Sequence, residues 1–398
     1  MSLDSSTVNK QGSEPALNVS PILAFIASGA QQADLERTVD EKVIAAIKAN
    51  PVMRMTAAES LGGSNASCAD VARELEAVAA ACGSTAWCLW NHLCTFHLFC
   101  GLLGPDNADQ LREITEQSQW VCFPAGAGTA SKGELRGQEV IIEGQASFGS
   151  GARYADYAGA SFRSPNGEGV DFALVDLTQP EVRVDPTWQA MSLRASATDD
   201  IHYAQASVPA HRVVSFPFRY REVFRDAQRP MIHPRYREDW VALSDLWLGA
   251  MAAGVAQAAL DEVCAGIRDR IALGGVAVAQ RPTVHVNLGQ AAALISSARD
   301  TVLHACAETD VRIAAESIPT EGDYLRQMAA GMQALSLCDD AMRLLLRVLG
   351  GNGLREGGSF ERRYRDFQAM PLHINAHRDR VTEQYGRHLL GLQTENPF

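Results

Sequence analysis

The chain has 398 residues, of which 46% are hydrophobic and 21% charged, and a formal net charge of −12. That length supports two or three domains around a large buried core, and the balance is that of an ordinary soluble globular protein. The excess of acidic groups repels nucleic-acid phosphates and anionic lipid headgroups, which excludes both as main partners.

Nine cysteines, an odd number without a Cys-x-x-Cys pair, read as reduced, buried thiols rather than a disulfide framework or a zinc site. Cys82, Cys88, Cys94 and Cys100 recur every six residues, a spacing that scatters them around a helix and makes them small apolar fillers. The first thirteen residues are polar and carry no secretory signal, so a cytoplasmic location is expected.

In chain order, residues 1–18 read as a disordered tail. Apolar spacing is helical over 21–111, with helices predicted at 39–48, 66–81 and 85–100. The last of these extends apolar to Leu103 and approaches membrane length, but Asn91, His92 and His97 make it a buried helix instead. Between Trp120 and Val214 the period changes to two, predicting strands at 139–143, 157–163, 170–177 and 201–208 with a Pro165-Asn166-Gly167 turn. Long Ala- and Leu-rich helices follow at 239–271, 284–317 and 323–349, and with 375–390 they form a predicted four-helix bundle. The fold class is thus α+β, mostly α: an N-terminal helical domain (19–119), a middle antiparallel β domain (120–235) and the C-terminal bundle (236–398). Bundle faces this apolar also favour a homo-oligomer.

Gly350, Gly351, Gly353, Gly357 and Gly358 must stop the last long helix and let the backbone approach something closely. Arg365-Asp366 and then His373 and His377 follow. The two histidines are four apart, the spacing of a metal pair on a helix, but no glutamate lies between them and no third ligand is near; no metal is expected. The nearest candidate for a nicotinamide turn, Gly126 to Ser131, lacks the third glycine and a β-α-β setting.

Four of these segments together resemble the acyl-CoA dehydrogenase fold: Leu61-Gly62-Gly63, the Ser84 to Trp87 helix start, the stretch 191–211, and the Gly350-Gly351-x-Gly353 turn with Arg365-Asp366. The likeness covers about residues 20–392, with Ser192 where the family usually has glycine. Where the straight-chain dehydrogenases carry a catalytic glutamate this chain has Ile374, preceded by His373. A histidine there resembles the reduced-flavin monooxygenases on this fold, the oxygenase components of phenol, hydroxysteroid and dibenzothiophene hydroxylation.

That resemblance implies a cytoplasmic homotetramer that takes reduced FMN or FAD from a separate flavin reductase. With O2 it would form a C4a-hydroperoxyflavin and hydroxylate an aromatic or heteroaromatic small molecule. It places Phe148, Ser150, Gly151, Arg194, Ser196, Gly350, Gly351 and Gly353 at the cofactor, with Ser150 beside flavin N5. Trp87, Phe96 and Trp188 would line the substrate pocket, with His92 and His373 as catalytic imidazoles beside Ser150. Phe123-Pro124-Ala125-Gly126 stands where relatives often have a small polar side chain, so no phenol-anchoring role is expected of that segment. Two alternatives remain: an acyl-CoA dehydrogenase with a displaced base, and a non-catalytic flavin-fold scaffold.

Overall fold

A computed structural model of the chain describes residues 16–124, 131–217 and 219–394. Helices come first: α1 (Ser20–Glu36), α2 (Glu41–Lys48), α3 (Cys68–Ala81), α4 (Gly83–Leu103) and α5 (Ala108–Glu116). Then come β1 (Val121–Cys122), β2 (Lys132–Arg136), β3 (Glu139–Gly149), β4 (Tyr157–Arg163), β5 (Val170–Asp176), β6 (Val182–Asp185), β7 (Asp199–Pro209) and β8 (Val214–Phe216). The chain returns to helix in α6 (Tyr220–Arg225), α7 (Trp240–Ile267), α8 (Pro282–Ala314), α9 (Glu321–Leu349), α10 (Ser359–Ala369) and α11 (Arg378–Leu389). Most of the expected tail lies outside the described residues. Asn18, counted with it, is held by Glu74 through its backbone N–H at 2.6 Å and its side-chain amide at 2.9 Å.

Local signals start the helices where they begin. Ser67 caps α3 by accepting from the Asp70 N–H, and Thr320 and Asp323 form a reciprocal capping box on α9. Neither α4 nor the first half of α7 is amphipathic, because both are packed on all sides. Helix α7 is long and apolar enough to cross a membrane by length and composition, yet 89% of its most apolar window is buried inside the protein. It is the axis of the helical body, with α3, α8 and α9 packed around it.

Two of those crossings are made backbone to backbone. A Cβ at Gly254 of α7 would overlap the Glu76 carbonyl of α3, and one at Gly331 of α9 would overlap the Asp245 carbonyl of α7.

The sheet runs β6-β7-β3-β2-β4-β5-β8, with β1 beside β4. Its ladders are antiparallel except β1–β4 and the single β2–β4 pair. The four predicted strands are present as β3, β4, β5 and β7.

The bundle differs from expectation at its fourth member. Pro371 lies in a short 3-10 turn (Met370–Leu372), and α11 begins only at Arg378 with His377 as its N-cap. His373 and His377 therefore do not share a helix. The cluster Arg362 to Asp366, not foreseen as helical, forms α10 against α7 and α4.

Candidate active site

The expected residues fall into an inner pocket, an outer aromatic pair and a set that lies elsewhere. In the inner pocket, Trp87 and Trp90 of α4 pack against each other with ring centroids 4.9 Å apart. The His373 imidazole meets both edge-on, at 5.6 Å from Trp87 and 4.9 Å from Trp90. Each indole N–H is committed: Trp87 donates to the Ser150 hydroxyl at 2.9 Å and Trp90 to the Ser244 carbonyl at 2.9 Å. Ser150, the residue after β3, thereby ties the end of that strand to the aromatic cluster around His373.

Ser150 heads a chain of hydroxyls, with Thr198 3.1 Å away and Ser196 a further 2.7 Å beyond. All three are buried. Among the described residues Ser196 has no acceptor for its hydroxyl proton outside this chain. Every proton but one is placed if Ser196 donates to Thr198 and Thr198 to Ser150. In that direction the one left over is on Ser150, whose oxygen already accepts from Trp87; in the reverse direction it is on Ser196. Gly151 follows with φ of 78°, a conformation natural to glycine, and its N–H bonds the Ser196 carbonyl at 2.8 Å.

Phe148 and Trp188 make the outer pair, edge to face at 6.2 Å. Phe148 is 55% exposed and has φ of 63°, an uncommon conformation for a bulky residue. Trp188 is half-buried and anchored by its indole N–H on the Leu193 carbonyl at 2.9 Å. Arg194 lies on the same segment, its Nη1 3.7 Å from Asp34 and its buried Nε without a hydrogen-bond partner.

These features fit a flavin. They offer an uncovered aromatic wall, a hydroxyl proton with no acceptor and a guanidinium with an unused donor.

His373 is half-buried, and burial, helped by Arg380, pulls its pKa down to about 4. It is therefore neutral at pH 7. Its Nδ1 accepts from the Asn375 N–H at 3.4 Å, which leaves the proton on Nε2.

His92 is not part of this pocket's chemistry. Its Nδ1 accepts the Val121 N–H at 2.9 Å and its Nε2 pairs with the Met53 carbonyl at 3.0 Å, so neither nitrogen is free for a substrate. Burial lowers its pKa to about 4. Phe96 stacks on His92 at 6.3 Å and belongs to the core cluster with Leu98 and Phe99. His92 was expected to be catalytic and Phe96 to line the substrate pocket; in this structure His92 bonds the backbone at Met53 and Val121, and Phe96 packs in the core. His97, with its Nε2 3.0 Å from the Glu238 carbonyl, is structural.

Gly350, Gly351 and Gly353 are also separate from the Ser150 pocket within one chain. The turn borders a cleft lined by Leu349, Asn352, Glu262 and Gly266 at the C-terminal end of α7. Ser244, which touches Trp90, is 22 residues earlier on the same helix, roughly 33 Å at 1.5 Å per residue. Residues 126–130 of the Gly126 to Ser131 candidate and residues 125–126 of the 123–126 segment fall outside the described residues.

Known proteins agree with this architecture. Residues 246–378 match the family described as acyl-CoA dehydrogenase, C-terminal domain. The fold of the whole chain is acyl-CoA dehydrogenase-like. Its solved neighbours include XiaF from Streptomyces sp. in complex with FADH2 and glycerol (TM-score 0.85, 22% identity, 95% of each chain). Another is TdsC from Paenibacillus sp. A11-2 with FMN and indole (TM-score 0.80, 16% identity, 95% of this chain and 97% of that one). By sequence it is 24% identical, over 93% of its length and 97% of the relative's, to the flavin-dependent monooxygenase oxygenase subunit HsaA of Rhodococcus jostii (strain RHA1).

In this acyl-CoA dehydrogenase fold the position matched to the dehydrogenase base, Ile374, is 58% exposed, while its neighbour His373 occupies the pocket. Sequence reasoning missed Thr198, Asn375, Ser244 and Asp245 as members of the site or its support. Thr198 stands two residues after Ser196 but gave no period-two signal, because Ala197 between them is left-handed (φ 45°) and the segment is not extended. Ser244 and Asp245 stand out as a polar pair inside an apolar helix.

Proposed function

We propose that this protein is the oxygenase component of a two-component flavin-dependent monooxygenase that hydroxylates an aromatic or heteroaromatic small molecule. A separate reductase supplies reduced FMN or FAD, and the enzyme works as a cytoplasmic homotetramer. The observation that carries this reading is the junction of Ser150, Trp87 and His373 in one buried aromatic pocket where a dehydrogenase would need a carboxylate.

Reduced flavin, when bound, supplies the two electrons that divide O2 between product and water. The chain's own groups do the rest. Ser150 would offer a bound flavin its hydroxyl proton, left unclaimed when Ser196 donates to Thr198 and Thr198 to Ser150. Arg194 offers its unused Nε–H to the cofactor. Phe148 and Trp188 cover the pocket from outside and limit the entry of water, which favours product over hydrogen peroxide. Trp87 and Trp90 give a flat substrate apolar faces to lie against, and His373 presents Nε2–H to the oxygen atom that departs as water.

The test is the purified chain under anaerobic conditions with photoreduced FMN and FAD. It should purify nearly colourless, bind reduced flavin more tightly than oxidised, and leave NADH untouched. Ser150→Ala should release a larger fraction of reducing equivalents as peroxide on admission of O2. Tightly held oxidised FAD together with acyl-CoA-dependent dye reduction would sink the monooxygenase reading.

A further inference from the structure

Asp245 lies in the first half of α7 and is 0% exposed. Neither of its carboxyl oxygens has a hydrogen-bond partner, and among the described residues it is the one acid so placed. Burying a polar group unpaired costs on the order of 1–3 kcal/mol, and more if it is charged, so a core that keeps such a group needs a reason for it.

Its surroundings supply one. The preceding residue, Ser244, ties two walls of the pocket together: its carbonyl takes the Trp90 N–H, and its hydroxyl is 3.2 Å from the Asn375 side-chain amide. Trp90 and Cys94 are one turn apart on the same face of α4. Trp90 touches His373, while the Cys94 thiol is close enough to Asp245 to feel its charge. On the far side, Arg380 acts on both Asp245 and His373. The carboxyl thus adjoins Ser244 in sequence and lies within electrostatic reach of Cys94 and of Arg380, which also acts on the imidazole. The remaining charges facing it are Asp239, which opposes its ionisation, and Arg221, which favours it. Burial outweighs them and pushes Asp245 well above the usual carboxylate range.

Resting on the monooxygenase reading for the identity of the pocket, we infer that Asp245 is a substrate-anchoring residue that accepts the hydrogen-bond donor, a hydroxyl or a ring N–H, of a neutral aromatic substrate. Anchored there, the ring lies between the Trp87–Trp90 pair and the flavin edge with its donor end held against α7. The substrate class follows: phenols and N–H heteroaromatics are accepted, and the same rings without a donor leave the two oxygens bare.

Equilibrium dialysis of the purified chain against phenol, anisole, indole and 1-methylindole tests this, with and without anaerobic reduced FMN. The wild type should prefer phenol to anisole and indole to 1-methylindole by about tenfold or more. Asp245→Leu should erase both preferences, and Asp245→Asn should keep part of them. Because Leu removes an unpaired buried polar group, that variant should also melt at a higher temperature than the wild type.

Equal binding of donor and donor-less rings by the wild type, no binding of any probe, or preferences that survive in Asp245→Leu would each overturn the assignment. A lowered melting temperature for Asp245→Leu would do the same, since it would show a structural partner for the carboxyl. A preference seen without flavin stands even if flavin binding fails. Acyl-CoA-dependent dye reduction that Asp245→Asn abolishes would overturn both readings.

Discussion

His92 and His373 are both drawn to a pKa of about 4, mainly by burial, and sequence alone cannot rank them. What separates them is the commitment of their nitrogens. The partners of His92, Met53 and Val121, stand 39 and 29 residues away, so a pattern read along one helix does not reveal them. For His373 the legible signal was its place beside the absent glutamate, and the illegible part was the turn that detaches it from α11. His373→Ala should slow single-turnover oxygen transfer by about 10²- to 10⁴-fold. Flavin affinity should change far less, and His377→Ala, an exposed N-cap variant, should stay near wild type. Because an imidazole with a pKa near 4 does not change charge at neutral pH, the wild-type rate should be level from about pH 5.5 to 8. A rate inflection near the ordinary histidine value of about 6.5 would show instead an imidazole open to water.

At the scale of elements, α10 is the joint between the helical body and the loop that carries Trp188 and Arg194. Arg365 reaches Asp34 of α1 at 2.9 Å and the Met191 carbonyl at 2.7 Å, while Asp366 accepts the Leu193 N–H at 2.6 Å. Leu193 has φ of 47°, and its carbonyl holds the Trp188 indole. Burial raises the Asp366 pKa to about 7 in spite of the Leu193 N–H. Asp366→Ala strands that N–H and should cost about 1–3 kcal/mol in urea denaturation, whereas Asp366→Asn keeps an acceptor and should recover most of the loss. Equal losses in the two variants would show that the bond to Leu193 contributes nothing. Helix α10 escaped sequence reading because its interior is charged and its arginines find partners far along the chain, Arg362 at the Gln31 side-chain amide oxygen, Arg363 at Glu262 and Arg365 at Asp34. The strands that were legible, β3, β4, β5 and β7, each have a buried face; β2, nearly all exposed, and the short β6 and β8 leave no alternating pattern to find.

For the molecule as a whole, stability and protonation are coupled through its buried imidazoles. Folded His92 titrates at about 4 and an unfolded histidine at about 6.5, so between those values the unfolded chain binds more protons. The contribution of His92 is full above pH 6.5 and is lost as pH falls toward 4. His92→Leu, which strands the Met53 carbonyl and the Val121 N–H, should therefore be less stable than wild type at pH 7.5, with a gap that narrows at pH 4.5. Urea denaturation at the two pH values measures it, and a constant gap would mean that the imidazole is not the titrating group. The glycine crossings bear on another property, the capacity of this scaffold to change its chemistry over evolutionary time. With Gly254 seated on α3 and Gly331 seated against α7 at Asp245, α7 has no slack to slide or rotate, because any shift forces backbone into backbone on one side or the other. New substrate preferences must then arise from exchanged side chains on an immobile rod, or from the non-helical turn at 370–377, where no such contact fixes the chain. Diversification in such proteins should concentrate in that turn and in isolated polar replacements along α7, while the rod itself stays in register.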